Sequence, residues 1–110
     1  LAEEALRLSQ KNSEKPLEGL SWLLLGTILG ETEPLQINKA EECILKGIGI
    51  CKELKMKPDY SLGHLYLGEL YLNADEKEKA LASLKKAEGM FLEMGMDYWL
   101  GKAQEVLAAL

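Results

Sequence analysis

The chain has 110 residues, of which 13 are basic and 18 acidic, giving a net charge of −5. That length is one domain able to bury about 65% of its unfolded surface, and the acidic balance argues against nucleic acid or an anionic membrane as partner, since both need a cationic surface. No apolar run approaches the roughly 20 residues of a membrane helix: the longest, Leu20 to Leu29, is interrupted by Ser21, Gly26 and Thr27, and with no signal-peptide pattern either, a cytoplasmic location is expected.

The elements read as six helices. The first, Ala2 to Lys11, gathers Ala2, Ala5, Leu6 and Leu8 on one side and ends in the polar stretch Asn12-Ser13-Glu14-Lys15. It reads as the second helix of a preceding unit, and a chain that opens on Leu1 inside a helical pattern is expected to continue from something upstream. Pro16 starts the second helix, where its missing N–H costs nothing, and this helix runs to about Leu29. Its central phrase is Trp22-Leu23-Leu24-Leu25-Gly26 followed by Leu29.

A turn rich in turn formers, Gly30-Glu31-Thr32-Glu33-Pro34, leads to the third helix, which starts at Pro34 or Ile37 and reaches Lys55. Thr32 and Asn38 both suit its cap position. The helix is apolar nearly all round, through Cys43, Ile44, Leu45, Ile48, Ile50 and Cys51, so it is expected to be covered on several sides. Its two cysteines stand about 12 Å apart along the axis, too far for a disulfide. They read as small buried hydrophobes, and no metal-ligand set accompanies them.

The fourth helix, Pro58 to Leu72, carries His64-Leu65-Tyr66-Leu67-Gly68 followed by Tyr71. Asn73-Ala74-Asp75 joins it to the fifth, Glu76 to Met94, where Asp75 and Glu78 form a capping-box-like start. Gly95 closes that helix. The sixth, about Asp97 to Leu110, is inferred from two echoes: Cys51 to Met56 is answered by Phe91 to Met96, and Tyr60-Ser61-Leu62-Gly63 by Tyr98-Trp99-Leu100-Gly101.

The repetition is the main signal. Trp22 and His64 are 42 residues apart; Ala40, Ile44 and Gly47 follow the first phrase, and Ala80, Leu84 and Ala87 the second, with the same four-then-three spacing. From Trp22 to Ala40 is 18 positions and from His64 to Ala80 is 16, so the first copy carries two extra residues in its turn, an insertion that adds only loop entropy. Small residues at Gly26, Gly68, Ala40, Ala80 and Ala87 let helices approach closely, and Trp22, Tyr71 and Leu84 fill the space beside them.

The order large residue, Leu-Gly, Tyr, then Ala, bulky, Ala resembles the tetratricopeptide repeat. In the second copy His64, Leu67, Gly68, Tyr71, Ala80, Leu84 and Ala87 match it except at His64, where the family usually has Trp. The first copy has Trp22, Leu25, Gly26, Ala40 and Ile44, with Leu29 in place of Tyr and Gly47 in place of the last Ala. Both copies exceed the usual 34-residue period. The resemblance implies an all-α, right-handed superhelical stack of antiparallel helical hairpins: residues 1–15 as the second helix of a preceding repeat, 16–57 and 58–95 as repeats, and 96–110 as a capping helix, within one domain. Residues 91–110 also resemble the C-terminal repeat regions of large bacterial signalling proteins, which follow an ATPase module, often with a nucleotide-cyclase or kinase domain upstream.

In that family the first helix of each repeat lines a concave groove for a peptide, a helix or a neighbouring domain. The matching positions are Leu20, Leu23, Thr27, Leu62, Leu65, Glu69 and Leu72; five of the seven are leucine, which suits an apolar protein partner, another domain of the same chain, or a second copy in a homodimer. The basic set that clamps acidic C-terminal peptides in chaperone-binding members is missing from these faces. His64 lacks a nucleophile pattern and reads as a packing residue. Met90, Met94 and Met96 read as gap fillers or an adaptable surface, and Asp75 to Lys79 as a solvated face. With no phosphate loop, metal constellation or carboxylate pair in an apolar pocket, the expectation is a non-enzymatic, cofactor-free interaction module, with self-association as the alternative.

Overall fold

The computed structural model describes residue 3 and residues 15–32 and 37–110, and among these residues it is all-helical. Five helices follow one another: α1 (Lys15–Thr32), α2 (Ile37–Glu53), α3 (Lys57–Asn73), α4 (Lys77–Met94) and α5 (Asp97–Ala108). The helix expected over 2–11 lies, apart from Glu3, outside the described residues. Thr32 closes α1 and Asn38 is the second residue of α2, so neither directly precedes α2 as a cap.

The helices pack as neighbours in chain order, α1 on α2, α2 on α3, α3 on α4 and α4 on α5. Beyond these, α1 touches α3 and α3 touches α5, whereas α2 and α4 do not meet. The first helices of successive hairpins are therefore crowded on one side and the second helices spread on the other. A stack with that asymmetry curves, with α1, α3 and α5 inside.

Three turns of one design set the spacing. Lys55, Asp75 and Gly95 all take the left-handed backbone, at φ 58°, 64° and 69°. Their N–H groups donate to the carbonyls of Lys52, Leu72 and Leu92 at 3.1, 3.2 and 3.2 Å, and the next N–H groups, of Met56, Glu76 and Met96, donate to Cys51, Tyr71 and Phe91 at 2.8, 2.8 and 2.9 Å. This is the Schellman arrangement, which satisfies the last carbonyls of a helix. Asp75 is thus the terminator of α3 and not the cap of α4: Glu76 occupies the cap position and makes no side-chain capping bond, although Glu78 does sit in the first turn. Aspartate is among the few residues that tolerate φ > 0.

Because these turns recur every 20 residues, the hairpin period is 40, and the 42-residue phrase contains the extra pair between Gly26 and Ala40. The period also corrects the second echo. The Tyr60 N–H donates to Met56 as the Leu100 N–H does to Met96, both at 2.8 Å, and buried Gly63 is matched by buried Ala103. Tyr98 to Gly101 are therefore two residues out of register with Tyr60 to Gly63.

One continuous core runs through the stack. It includes Leu23, Ala40, Ile44, Ile48, Cys51, Leu65, Leu67, Leu70, Tyr71, Ala80, Leu84, Ala87, Phe91 and Ala103. Leu25 and Cys43 form a smaller cluster with Trp22 and Leu29. Close approach is most severe in the first hairpin: a Cβ on Gly26 would stand 2.8 Å from the Ala40 carbonyl oxygen, and one on Gly47 2.8 Å from that of Gly19. In the second hairpin a Cβ on Gly68 would meet the Leu84 side chain at 2.5 Å, but no backbone atom nearer than 3.4 Å. Ser61 and Ala87 stand where Gly19 and Gly47 stand in the first hairpin, and their side chains occupy the space that those glycines leave for a close approach.

Candidate partner groove

On α1, Leu17, Leu20, Leu24 and Ile28 recur at spacings of three, four and four and so share one face. All four are 39–52% exposed. Turned towards α3, this face borders a cavity of ≈ 190 Å³ lined by Leu20, Leu23, Leu24, Thr27, Asp59, Leu62 and Tyr66. A second cavity of ≈ 140 Å³ continues along the same seam past Thr27 and Tyr66 to Glu69, Leu70 and Asn73. The two form one groove between the first helices.

The structure divides the seven residues expected to face a partner. Leu20 is exposed, and Thr27 and Leu62 are half-buried at the groove; Glu69 is exposed at its far end. Leu23 and Leu65, by contrast, are 3% and 2% exposed and belong to the core; Leu23 lies in the floor of the groove with its side chain against Gly47 of α2 and Gly63 of α3. Leu72 is half-buried and packs against the core. The Thr27 hydroxyl donates to its own helix at the Leu23 carbonyl, 2.9 Å away.

Sequence reasoning left out Leu17, Leu24, Ile28, Asp59 and Tyr66. The first three had a readable signal, since they extend Leu20 into an i, i+3, i+7, i+11 stripe. Burial raises the pKa of the Tyr66 hydroxyl, helped by the nearby carboxylates of Glu69 and Asp59, so it stays a neutral donor in the groove.

Of the repeat-signature residues, Leu25, Ala40, Ile44, Leu67, Tyr71, Ala80, Leu84 and Ala87 are buried, as are Gly26 and Gly68. Trp22 lies half-buried with the Lys46 ammonium 4.7 Å from its ring centroid. His64 takes the matching place in the second hairpin. Its ring stands edge-on to Tyr60 at 4.8 Å, its Nε2 is buried without a hydrogen-bond partner, and burial, with Lys86 and Lys52 nearby, lowers its pKa to about 4. Across the hairpin boundary the Tyr71 hydroxyl donates to Glu41 at 2.6 Å. Cys43 and Cys51 are buried free thiols, and burial pushes Cys51 up to about 11.

No helix among the described residues is long and apolar enough to cross a membrane, and among those residues no cluster of three metal-ligating side chains occurs. Comparison with protein-family models, with curated proteins and with solved structures finds no match to this chain.

Proposed function

We propose that the chain is a non-enzymatic protein-interaction module of the tetratricopeptide type, acting as the cytoplasmic C-terminal partner-binding part of a larger bacterial signalling protein. The observation that carries this reading is the exposed stripe Leu17, Leu20, Leu24 and Ile28, continuous with the α1–α3 groove. Each of these side chains is already about half covered, so completing its burial is worth about 1 kcal/mol and the stripe about 4 kcal/mol before the cost of association. Such a surface anchors a partner without holding it alone. Asp59, Tyr66 and Glu69 supply polar groups along the groove, and these would set specificity.

The placement as the end of a larger signalling protein rests on the resemblance of residues 91–110. The test of the interaction reading is a peptide-display selection against the whole chain, repeated with the Leu20→Glu, Leu24→Glu variant. Selected peptides should carry large apolar residues at helical spacing and lose binding to the variant, while its circular dichroism stays helical. Peptides that bind both forms equally would refute the groove.

The same stripe also suits a second copy of the chain, because its four exposed side chains carry no charge. Light scattering over a range of concentrations separates the readings: a dimer that the double variant converts to monomer establishes self-pairing.

A further inference from the structure

Away from the inner groove, the α2–α3 turn and α4 enclose a cavity of ≈ 230 Å³ lined by Cys51, Lys52, Lys55, Met56, Lys57, Tyr60 and Met90. Its wall is apolar: Cys51 is fully buried, and Met56, Tyr60 and Met90 are half-buried. Its rim is cationic. Lys52, Lys55 and Lys57 are exposed, no salt bridge among the described residues engages them, and Lys86 lies over the Tyr60 ring at 5.4 Å. Among the described residues no acidic one lines this cavity; Asp59, which acts electrostatically on Cys51, lines the inner groove instead.

The repeat supplies an internal control. Forty residues on, at the same turn between α4 and α5, the places of Lys52, Lys55 and Lys57 are taken by Leu92, Gly95 and Asp97. The turn itself therefore needs no lysine. Lys52 lies in the last turn of α2, where a cation is favoured, but Lys57 opens α3 at its positive end. Lys55 occupies a left-handed backbone position that Gly95 fills without strain. In a chain of net charge −5, three cations gathered round one apolar hollow, two of them where helix chemistry does not favour a lysine, indicate an anionic ligand with an apolar part.

We infer that this cavity is a second docking site, for an acidic peptide segment of a protein partner that inserts one large apolar side chain between Met56, Tyr60 and Met90 while its carboxylates face Lys52, Lys55 and Lys57. The volume favours a side chain over a free small molecule, because pockets that enclose a whole ligand run to about 300–1,000 Å³. The site goes beyond the proposed groove and uses none of its residues.

The experiment is a titration of the isotope-labelled 110-residue chain, followed by amide NMR, with an end-blocked pentapeptide of two aspartates, phenylalanine and two aspartates. Three other probes are run in parallel: the peptide with glycine for phenylalanine, the peptide with lysines for aspartates, and dodecanoate. Shifts should centre on residues 51–60 and 86–90, and binding should weaken about ten-fold or more when either the phenylalanine or the charges are removed. The Lys52→Glu, Lys55→Glu, Lys57→Glu variant should keep a dispersed spectrum and lose the shifts, whereas Leu20→Glu, Leu24→Glu should bind the peptide normally. Silence at millimolar peptide, equal binding of the basic peptide, shifts that survive the triple variant, or a response to dodecanoate alone would each overturn the proposal.

Discussion

If the left-handed turn geometry sets the helix ends, residue 55 should prefer glycine to alanine. A side chain held at φ 58° costs about 1–2 kcal/mol relative to the right-handed region. Glycine removes that cost but gives back about 0.4–1 kcal/mol through the greater freedom of the unfolded chain. The expected balance is that Lys55→Gly is more stable than Lys55→Ala by about 0.5–1 kcal/mol, or about 2–4 °C in melting temperature for a domain of this size. Comparing the two variants with each other, and not with the parent, cancels the lost charge and stem of Lys55. The reciprocal change, Gly95→Ala at φ 69°, should lose about 1 kcal/mol, since nothing crowds a Cβ there and only the backbone resists. Urea unfolding followed by far-UV circular dichroism reads both. Equal stability of the two residue-55 variants, together with a neutral Gly95→Ala, would show that the Schellman geometry does not govern these turns.

Three further outcomes follow from single contacts. Tyr71→Phe should cost about 1–2 kcal/mol, because it removes a charge-assisted hydrogen bond to Glu41 that ties α2 to α3; a thermal melt within 0.3 kcal/mol of the parent would contradict this. Gly49→Ala, Gly89→Ala and Gly101→Ala, where a Cβ meets open space, should each stabilise by about 0.5–1 kcal/mol, while Gly26→Ala, driven into the Ala40 carbonyl, should destabilise; denaturant midpoints with the same sign at all four sites would defeat the distinction. His64 has its folded pKa lowered from 6.5 to about 4, so its neutral form supports the fold fully above pH 6.5 and that support is lost as the pH falls towards 4. After allowance for partial exposure the loss is about 1–2 kcal/mol, and His64→Gln should flatten stability measured across that pH range.

The five described helices and their pairing in adjacent hairpins were legible because the signature residues report contacts between neighbouring helices. Gly26, Gly68, Ala40 and Ala80 mark close crossings that any stack of this kind must have. What stayed hidden depends on rotation about a helix axis. Leu20 and Leu23 look alike in sequence and line the same cavity, yet the offset of about 60° between residues three apart leaves Leu20 exposed at the rim and buries Leu23 in the core. The left-handed turns were hidden for a different reason: glycine announces such a position at Gly95, but lysine and aspartate at 55 and 75 do not. Asp75 in particular carries the chemistry of an N-cap, and only its dihedral shows that it ends one helix without capping the next.

The apolar stripe on α1 still has to be separated from what the repeat itself demands, and the register allows this. Forty-two residues on, Leu17, Leu20, Leu24 and Ile28 correspond to Asp59, Leu62, Tyr66 and Leu70. Leu70 is 4% exposed and stands against Gly30, so an apolar residue at that place, and hence at Ile28, has a packing reason. Leu17 has none, since the next repeat carries aspartate there. Leu17→Asp installs the residue that the fold already accepts at the equivalent place, and it should change stability by no more than about 0.5 kcal/mol. If the stripe receives a partner, the same change should weaken binding of display-selected peptides several-fold, because it sets a charge against their apolar face. A loss of stability comparable to a core substitution, with binding unaffected in the folded fraction, would assign Leu17 to the protein's own packing and shorten the groove to the Leu20–Tyr66 cavity.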